Sequence, residues 1–535
     1  MNLFDRVFTR NDSAKNAVLY EGRQLTYEDL RDQTSGLAAI LPVLGIALGE
    51  RVGILLNDSP EFLASFIAVC SSGAIAVPVN MALRLDHQEA ILNDCAASVA
   101  VVESDICSAL LADGGKRLPH LKEVVVVSRG EEEKKFTAAG DLRIRMLSEL
   151  LSESRPGHGP AFASGSQDAP AFILYTSGST GEPKGAIHSQ GDIFYTNRTF
   201  CREVLRLTPG DRLFSSSRLP FAYGLGNSLT FPLLNGASTI LCREKPTPEV
   251  ISRVFAKYQP TIFFAVPVVY NLLLEHHRRG NELDCSSLRL CISAGEALPA
   301  QLGEDWQRTF GVEVLDGIGS TETLHMFMSN QSGKVRYGSS GKVLEGYEAR
   351  LLDQEGKPVA AGAVGNLWVK GDSAALGYWE RPDATARTFV DGWVRTGDLY
   401  RCDIDGYWYH MGRSDDCFKS SGQWVSPVEV EGALLRHARV SRVAVVEDFD
   451  EDSLPCACAF VVCKDVESNV VQIEEELKQL MKIALPRFKR PRRYLFVNDL
   501  PYTATGKVQR FKLKEQLKTV QSPMSKVQGR SASED

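Results

Sequence analysis

The chain lacks several features that would each have named a class of protein. It has no C-x-x-C pair: its 12 cysteines are scattered from Cys70 to Cys463, with Cys456 and Cys458 too closely spaced to make one. A disulfide framework and structural zinc are therefore not expected, and free thiols in a reducing cytoplasm are. There is no long apolar run. The most hydrophobic stretch, Phe62 to Val79, is interrupted by Ser71, Ser72, Gly73 and Pro78, too broken to span a bilayer. Positive charge is not in surplus: 60 basic and 67 acidic residues leave a net charge of −7. Broad binding of nucleic acid, which needs a basic face, is excluded on that balance. The opening residues, Met1 to Arg6, show no charged-then-apolar leader pattern. No internal repeat is visible. A cytoplasmic protein without nucleic-acid or membrane partners, monomeric or homodimeric, is the expectation.

What is present is a globular mixture, 44% hydrophobic and 24% charged, over 535 residues, too many for one ordinary domain. Short β-branched runs alternate with helical patterns. Thr26 is placed to cap a helix, with Asp29 where a capping box would prefer Glu. Arg51–Asn57 reads as a buried strand, followed by a helix from Pro60; 98–102, 123–127, 171–175, 261–265, 288–293 and 312–315 repeat the theme. Such alternation predicts an α/β fold with doubly wound sheets. From Gly341 to Tyr409, short strands with frequent Gly turns predict a small β-rich subdomain. After Arg413, strands at 440–446 and 457–462 and a helix at 471–484 predict a small mobile α+β domain. The boundaries expected are 1–413, 414–520 and a disordered polar tail at 521–535.

The sharpest segment runs from Tyr175 to Gly185. After a strand it packs three glycines, four hydroxyl residues (Thr176, Ser177, Ser179, Thr180) and Lys184 into eleven positions. Gly178 and Gly181 let backbone N–H groups approach an anion, and the lysine adds charge, as a phosphate cradle needs. A polar hairpin loop is the plainer alternative. Pro183 before the lysine and Gly185 after it exclude a Walker A loop, and with it a P-loop phosphotransferase.

This segment resembles the phosphate loop of the adenylate-forming superfamily of acyl-CoA synthetases, peptide-synthetase adenylation domains and luciferases. The superfamily's other motifs follow in order. Ser293–Ala297, with Gly295, Glu296 and Ala297, is similar to the adenine-side loop. Asp316-Gly317-Ile318-Gly319-Ser320-Thr321-Glu322 is similar to the segment that packs on adenine and sets Thr321 and Glu322 near the phosphates and Mg²⁺. Arg395–Asp398 resembles the segment whose aspartate holds the ribose hydroxyls, and a carboxylate can accept both. Gly412–Asp416 resembles the hinge, with Arg413 on the nucleotide and Asp415 as the pivot, and Pro501–Lys507 the loop of the catalytic lysine. The likeness spans nearly the whole chain.

Within the superfamily, Arg218–Asn227, Thr321–Met326 and Lys419–Pro427 are similar to stretches of benzoate–CoA ligases. That resemblance implies an acyl pocket of Phe221, Ala222, Tyr223, Gly319, His325 and Met326. There His325 neutralises or hydrogen-bonds the acid's carboxylate, or is simply a satisfied helix-start histidine. Thr323 and Met326 stand where bulkier apolar residues are expected, so which ring substituents are accepted stays open. It further implies ATP, Mg²⁺ and CoA as the reaction's partners. Lys507 closes over ATP and acid to form aryl-AMP. Rotation about Asp415 then brings Gly422 and Trp424 to a pantetheine tunnel. The basic run Arg487, Lys489, Arg490, Arg492 and Arg493 fits CoA phosphates or a solvated strand start equally. Two rivals stand beside this reading: an adenylating enzyme that loads a carrier-protein arm, and a non-catalytic nucleotide-binding protein.

Overall fold

A computed structural model describes residues 2–128, 136, 141–153, 166–177, 183–420, 423–450, 454–464, 469–502 and 508–521. Contacts divide the chain into two compact units, 1–396 with 400–410, and 397–399 with 411–535.

The larger unit is built on two mainly parallel sheets. One has nine strands, in the order Lys342–Val343, Met326–Ser329, Val314–Gly319, Leu290–Ser293, Ile262–Ala265, Arg212–Ser215, Ser238–Leu241, Asn16–Tyr20 and Arg23–Thr26. The other has eight, in the order Gly377–Tyr378, Pro183–Ser189, Pro170–Ser177, Ile75–Pro78, Arg51–Leu55, Val99–Glu103, Glu123–Val127 and Arg143–Met146. Strands such as Glu123–Val127 are buried at every position. That is why they read as continuous β-branched runs: helices cover both faces of a parallel sheet. The apolar run from Phe62 is such a covering helix, Pro60–Ser71, capped by Ser59 and buried at every residue except Glu61. It ends at Ser72 and Gly73, and Ile75–Pro78 returns as a strand. Among the described residues no helix is long and apolar enough to cross a membrane. The capping box at Thr26 forms with Asp29, the shorter acid reaching back to the Thr26 N–H at 2.8 Å. A small antiparallel sheet of Glu348–Leu352, Gly365–Lys370, Trp393–Cys402 and Phe389–Val390 occupies the Gly-rich region.

The smaller unit sets Val440–Phe449, Pro455–Cys463 and Pro491–Phe496 in one sheet with helices on both faces. Period-2 alternation sorts its side chains. Val443, Val445, Ala457, Ala459 and Val461 pack with Ile473, Leu477 and Met481, while Ala444, Val446, Cys458, Phe460 and Val462 pack with Leu513 and Leu517. All 12 cysteines are free. Residues 522–535 of the expected tail lie outside the described residues.

Candidate active site

Four adjacent parallel strands, Arg212–Ser215, Ile262–Ala265, Leu290–Ser293 and Val314–Gly319, deliver the predicted segments. Segments 218–225, 294–297 and 320–323 all leave carboxyl ends of these strands. Loops at that end of an open parallel sheet are where such folds bind ligands.

The glycine-rich segment is the turn of a hairpin. Thr176 pairs with Lys184 and Ser177 with Pro183, and the tip carrying Gly178, Ser179, Thr180 and Gly181 lies outside the described residues. Lys184 Nζ sits 5.8 Å above the Tyr378 ring, and the Tyr378 hydroxyl donates to Glu322 Oε1 at 2.7 Å. One phenol thus holds the expected phosphate lysine and the expected metal carboxylate together. The turn Thr321–Thr323 is pinned further. His188 Nε2 donates to the Thr321 carbonyl at 2.7 Å, Ala375 N to the Glu322 carbonyl at 2.8 Å, and Ser373 Oγ to the Thr323 carbonyl at 2.8 Å. His188 is itself fixed, stacked on Phe172 with 5.3 Å between centroids and with Nδ1 2.7 Å from Asp192 Oδ2.

After that turn Leu324 adopts φ +64°, a strained conformation for a branched residue, and the chain folds back antiparallel so that Met326 faces Gly319. The return is tight: a Cβ on Gly319 would lie 2.4 Å from the His325 carbonyl oxygen. Gly317 is crowded in the same way by Met326 Cε, 2.1 Å from the position of a Cβ. Met326, expected as a pocket wall, is therefore buried beneath the strand, 1% exposed.

Asp316 is buried between Ser293 and the Leu298 backbone, joining the two segments expected around adenine. Burial holds its carboxyl well above the ordinary carboxylate range, and its Oδ1 has no hydrogen-bond partner among the described residues. Asp316 thus sits in the floor of the site, its carboxyl out of solvent, while Gly295, Glu296, Ala297, Ile318 and Gly319 remain at least partly accessible.

The acyl segment is anchored by Arg218, which donates to the carbonyls of Cys242 and Arg243 and pairs with Asp58 at 3.4 Å. Phe221 precedes the helix Ala222–Leu225, which continues into a π-helical stretch, Gly226–Thr230. Such π turns cluster at functional sites. Gly226 is required there, since a Cβ would come within 2.5 Å of His325 Cδ2. His325 lies among Phe200, Tyr223 and Phe231, with ring centroids at 5.0, 5.6 and 4.6 Å. Burial lowers its pKa to about 3. Burial thus disfavours the charged ring, and of the two expected roles hydrogen-bonding the carboxylate is the one this environment suits. It keeps hydrogen-bonding capacity: Nε2 lies 3.2 Å from Asn227 Oδ1. The Tyr223 hydroxyl donates to the Ile292 carbonyl at 3.1 Å.

In the smaller unit Asp398 lies 3.5 Å from Arg413, whose Nε lies 3.6 Å from Asp415 Oδ1. Trp424 lies in the strand Gln423–Val425, and Gly422 and Lys507 fall outside the described residues. The basic run is largely neutralised within this unit. Lys489 pairs with Glu429, Arg492 with Asp450, Arg493 with Asp448, and Arg490 donates to the Leu485 and Lys482 carbonyls.

Glu322 is the carboxylate suited to a metal: Oε2 accepts no hydrogen bond among the described residues. No group of three or more metal-binding side chains occurs among them. A single carboxylate of this kind is compatible with Mg²⁺, whose shell waters and substrate phosphates can complete. Sequence reasoning missed His188, Asp192, Tyr378 and Asn227. Only the first two had a local signal, the Ser189-x-x-Asp192 capping box directly after a histidine.

Comparison with known proteins places this geometry. The profile of the family described as AMP-binding enzyme matches residues 4–379, and that of the AMP-binding enzyme C-terminal domain matches residues 429–507. A benzoate–CoA ligase of Thauera aromatica is 39% identical, the match covering 96% of this chain and 95% of that protein. A crystal structure of an anthranilate–CoA ligase in complex with anthranoyl-AMP superposes with a TM-score of 0.88 at 36% identity, covering 97% of this chain and 98% of that one. A benzoate–CoA ligase from Burkholderia xenovorans gives 0.85 at 35% identity, covering 96% and 99%.

Proposed function

The chain belongs to the AMP-binding enzyme family, and on that premise we propose how it works as an AMP-forming acid–CoA ligase acting on a benzoate-like aromatic acid. The acid's carboxylate oxygen attacks the α-phosphorus of ATP, forming the acyl–O–P bond and releasing pyrophosphate. The sulfur of CoA then attacks the acyl carbon, the C–O bond to phosphate breaks, and AMP leaves as the thiol proton is lost.

The first step brings two anions together, so the site must supply positive charge and fixed donors where charge builds up. Lys184 holds phosphate oxygens beside the hairpin hydroxyls. Glu322, oriented by Tyr378, would hold Mg²⁺, which would supply charge neutralisation when bound. Thr321 donates its hydroxyl from a turn fixed at three carbonyls. Asp398 holds the ribose, and Lys507 bridges carboxylate and α-phosphate. In the acyl slot Tyr223, Gly319 and the neutral His325 accept a flat ring, with the imidazole hydrogen-bonding rather than compensating charge. A change of arrangement about Asp415 would separate the two half-reactions, removing Lys507 before thioester formation and keeping water from the labile adenylate.

The observation that carries the proposal is the meeting of Lys184 and Glu322 on Tyr378 in a chain alike from end to end to aryl acid–CoA ligases. The test is a panel of benzoate, hydroxy- and aminobenzoates, cyclohexenyl and short aliphatic acids, scored by pyrophosphate release and by mass for the CoA thioester without any carrier protein. Acid-dependent release with an aryl-CoA product is expected. Release without thioester would favour a carrier-loading enzyme, and no release at all would refute catalysis of this kind.

A further inference from the structure

A cavity of about 360 Å³ in the larger unit lies among residues that the reaction above does not use. Four arginines line it: Arg6 and Arg10 from the first helix and its exit, Arg198 and Arg202 from the π-helical segment Asn197–Leu205. None of the four forms an ion pair among the described residues. The charges that bear on Arg6 are Arg10 and Arg202, both of its own sign. Its guanidinium carbon lies 3.9 Å from the Phe194 ring centroid, and its Nε is buried without a hydrogen-bond partner among the described residues. The guanidinium carbon of Arg198 lies 4.9 Å from the Tyr195 ring centroid. Guanidinium groups without a carboxylate partner keep N–H donors for a planar or tetrahedral oxyanion.

Three carboxylates also line the cavity, one fewer than the arginines. Asp192 already engages His188 and Ser189 through both its oxygens, and Asp168 and Asp372, like Arg10, Arg198 and Arg202, are exposed. The cluster leaves a local surplus of positive charge around the concavity that an anion would neutralise.

We propose that this cavity is a second anion site, apart from the nucleotide and acyl site, that takes the phosphate or diphosphate group of a small molecule. Free pyrophosphate, a nucleotide diphosphate and CoA all carry that chemistry. The site stands on its own residues and does not depend on the ligase reading.

The test is calorimetric titration of the full chain at low ionic strength with inorganic pyrophosphate, ADP and CoA in separate arms. Wild type is compared with Arg6→Gln/Arg202→Gln. An arginine-dependent component is expected with at least one ligand. It should weaken about tenfold or more in the double variant, the scale for losing charge-assisted hydrogen bonds, and fade as salt is raised. The arm that shows it identifies the source. Pyrophosphate release with acid and ATP stays unchanged in the variant, and Arg6→Lys/Arg202→Lys keeps part of the binding. Coincident isotherms for wild type and variant in all three arms would overturn the site. If the Gln pair fails to fold, Arg10→Gln/Arg198→Gln, at exposed positions, carries the same comparison.

Discussion

His188 touches no expected substrate group, yet it holds the Thr321 carbonyl at 2.7 Å, one residue from the carboxylate expected to bind Mg²⁺. Removing such an orienting partner typically costs about 10–100-fold in metal affinity or activity. His188→Ala should therefore lower kcat/KM for ATP and raise the Mg²⁺ requirement, while His188→Gln, which can still donate, recovers part of the loss. An unchanged Mg²⁺ dependence in the alanine variant would refute the positioning role. His325 calls for a different measurement. Its folded pKa of about 3 lies below the 6.5 of an exposed imidazole, so the unfolded chain binds a proton that the native chain refuses. Its contribution to stability is thus complete above pH 6.5 and falls as pH drops toward 3, by up to about 1.4 kcal/mol per pH unit. Urea unfolding at pH 7.5 and 5 should show this slope in wild type and a shallower one in His325→Gln; equal slopes would contradict the buried neutral state. The sequence names His325 but not its charge state, because Phe200 and Phe231 reach it from about a hundred residues away.

At the scale of elements, the close return of Met326–Ser329 onto Val314–Gly319 shapes the floor of the site, and Gly319 permits it. Gly319→Ala places a Cβ against the His325 carbonyl, which forces the pair apart at the turn that presents Thr321 and Glu322. Displacements of about 1 Å near reacting groups cost on the order of a hundredfold in rate. Acid-dependent pyrophosphate release should fall by about that factor with circular dichroism unchanged, and a near-normal rate would show that the strand tolerates the methyl. Element identity was legible where periodicity is strong: Glu123–Val127, Ile262–Ala265 and the cap at Thr26 stand where their patterns put them. Gly377–Tyr378 was not, because a two-residue edge strand has no period to read, although its tyrosine joins Lys184 to Glu322. The π-helical stretches were equally hidden, since Gly226–Thr230 differs from an α-helix only in its backbone pairing.

For the molecule as a whole, the expected motifs fall into two sets. Lys184, Thr321, Glu322 and Tyr223 belong to the larger unit, while Asp398, Arg413 and Asp415 belong with the smaller one. Order along the chain made the family legible, but it could not show that three residues inside the strand Trp393–Cys402, Gly397 to Leu399, fall in the second compact unit. Asp398 there lies 3.5 Å from Arg413, so the carboxylate expected to hold the ribose and the arginine of the expected hinge motif fall in the same unit. This division makes the two half-reactions separable by mutation. If Lys507 acts only in adenylation, Lys507→Ala should slow acid-dependent pyrophosphate release by roughly two to three powers of ten, the scale for deleting one charge-stabilising donor. The same variant, supplied with synthetic aryl-AMP and CoA, should form thioester at nearly the wild-type rate, because no phosphoanhydride is broken in that step. Single-turnover measurements of both steps decide the matter. Equal losses would mean that the lysine serves one fixed site throughout, and the exchange of roles about Asp415 would have to be abandoned.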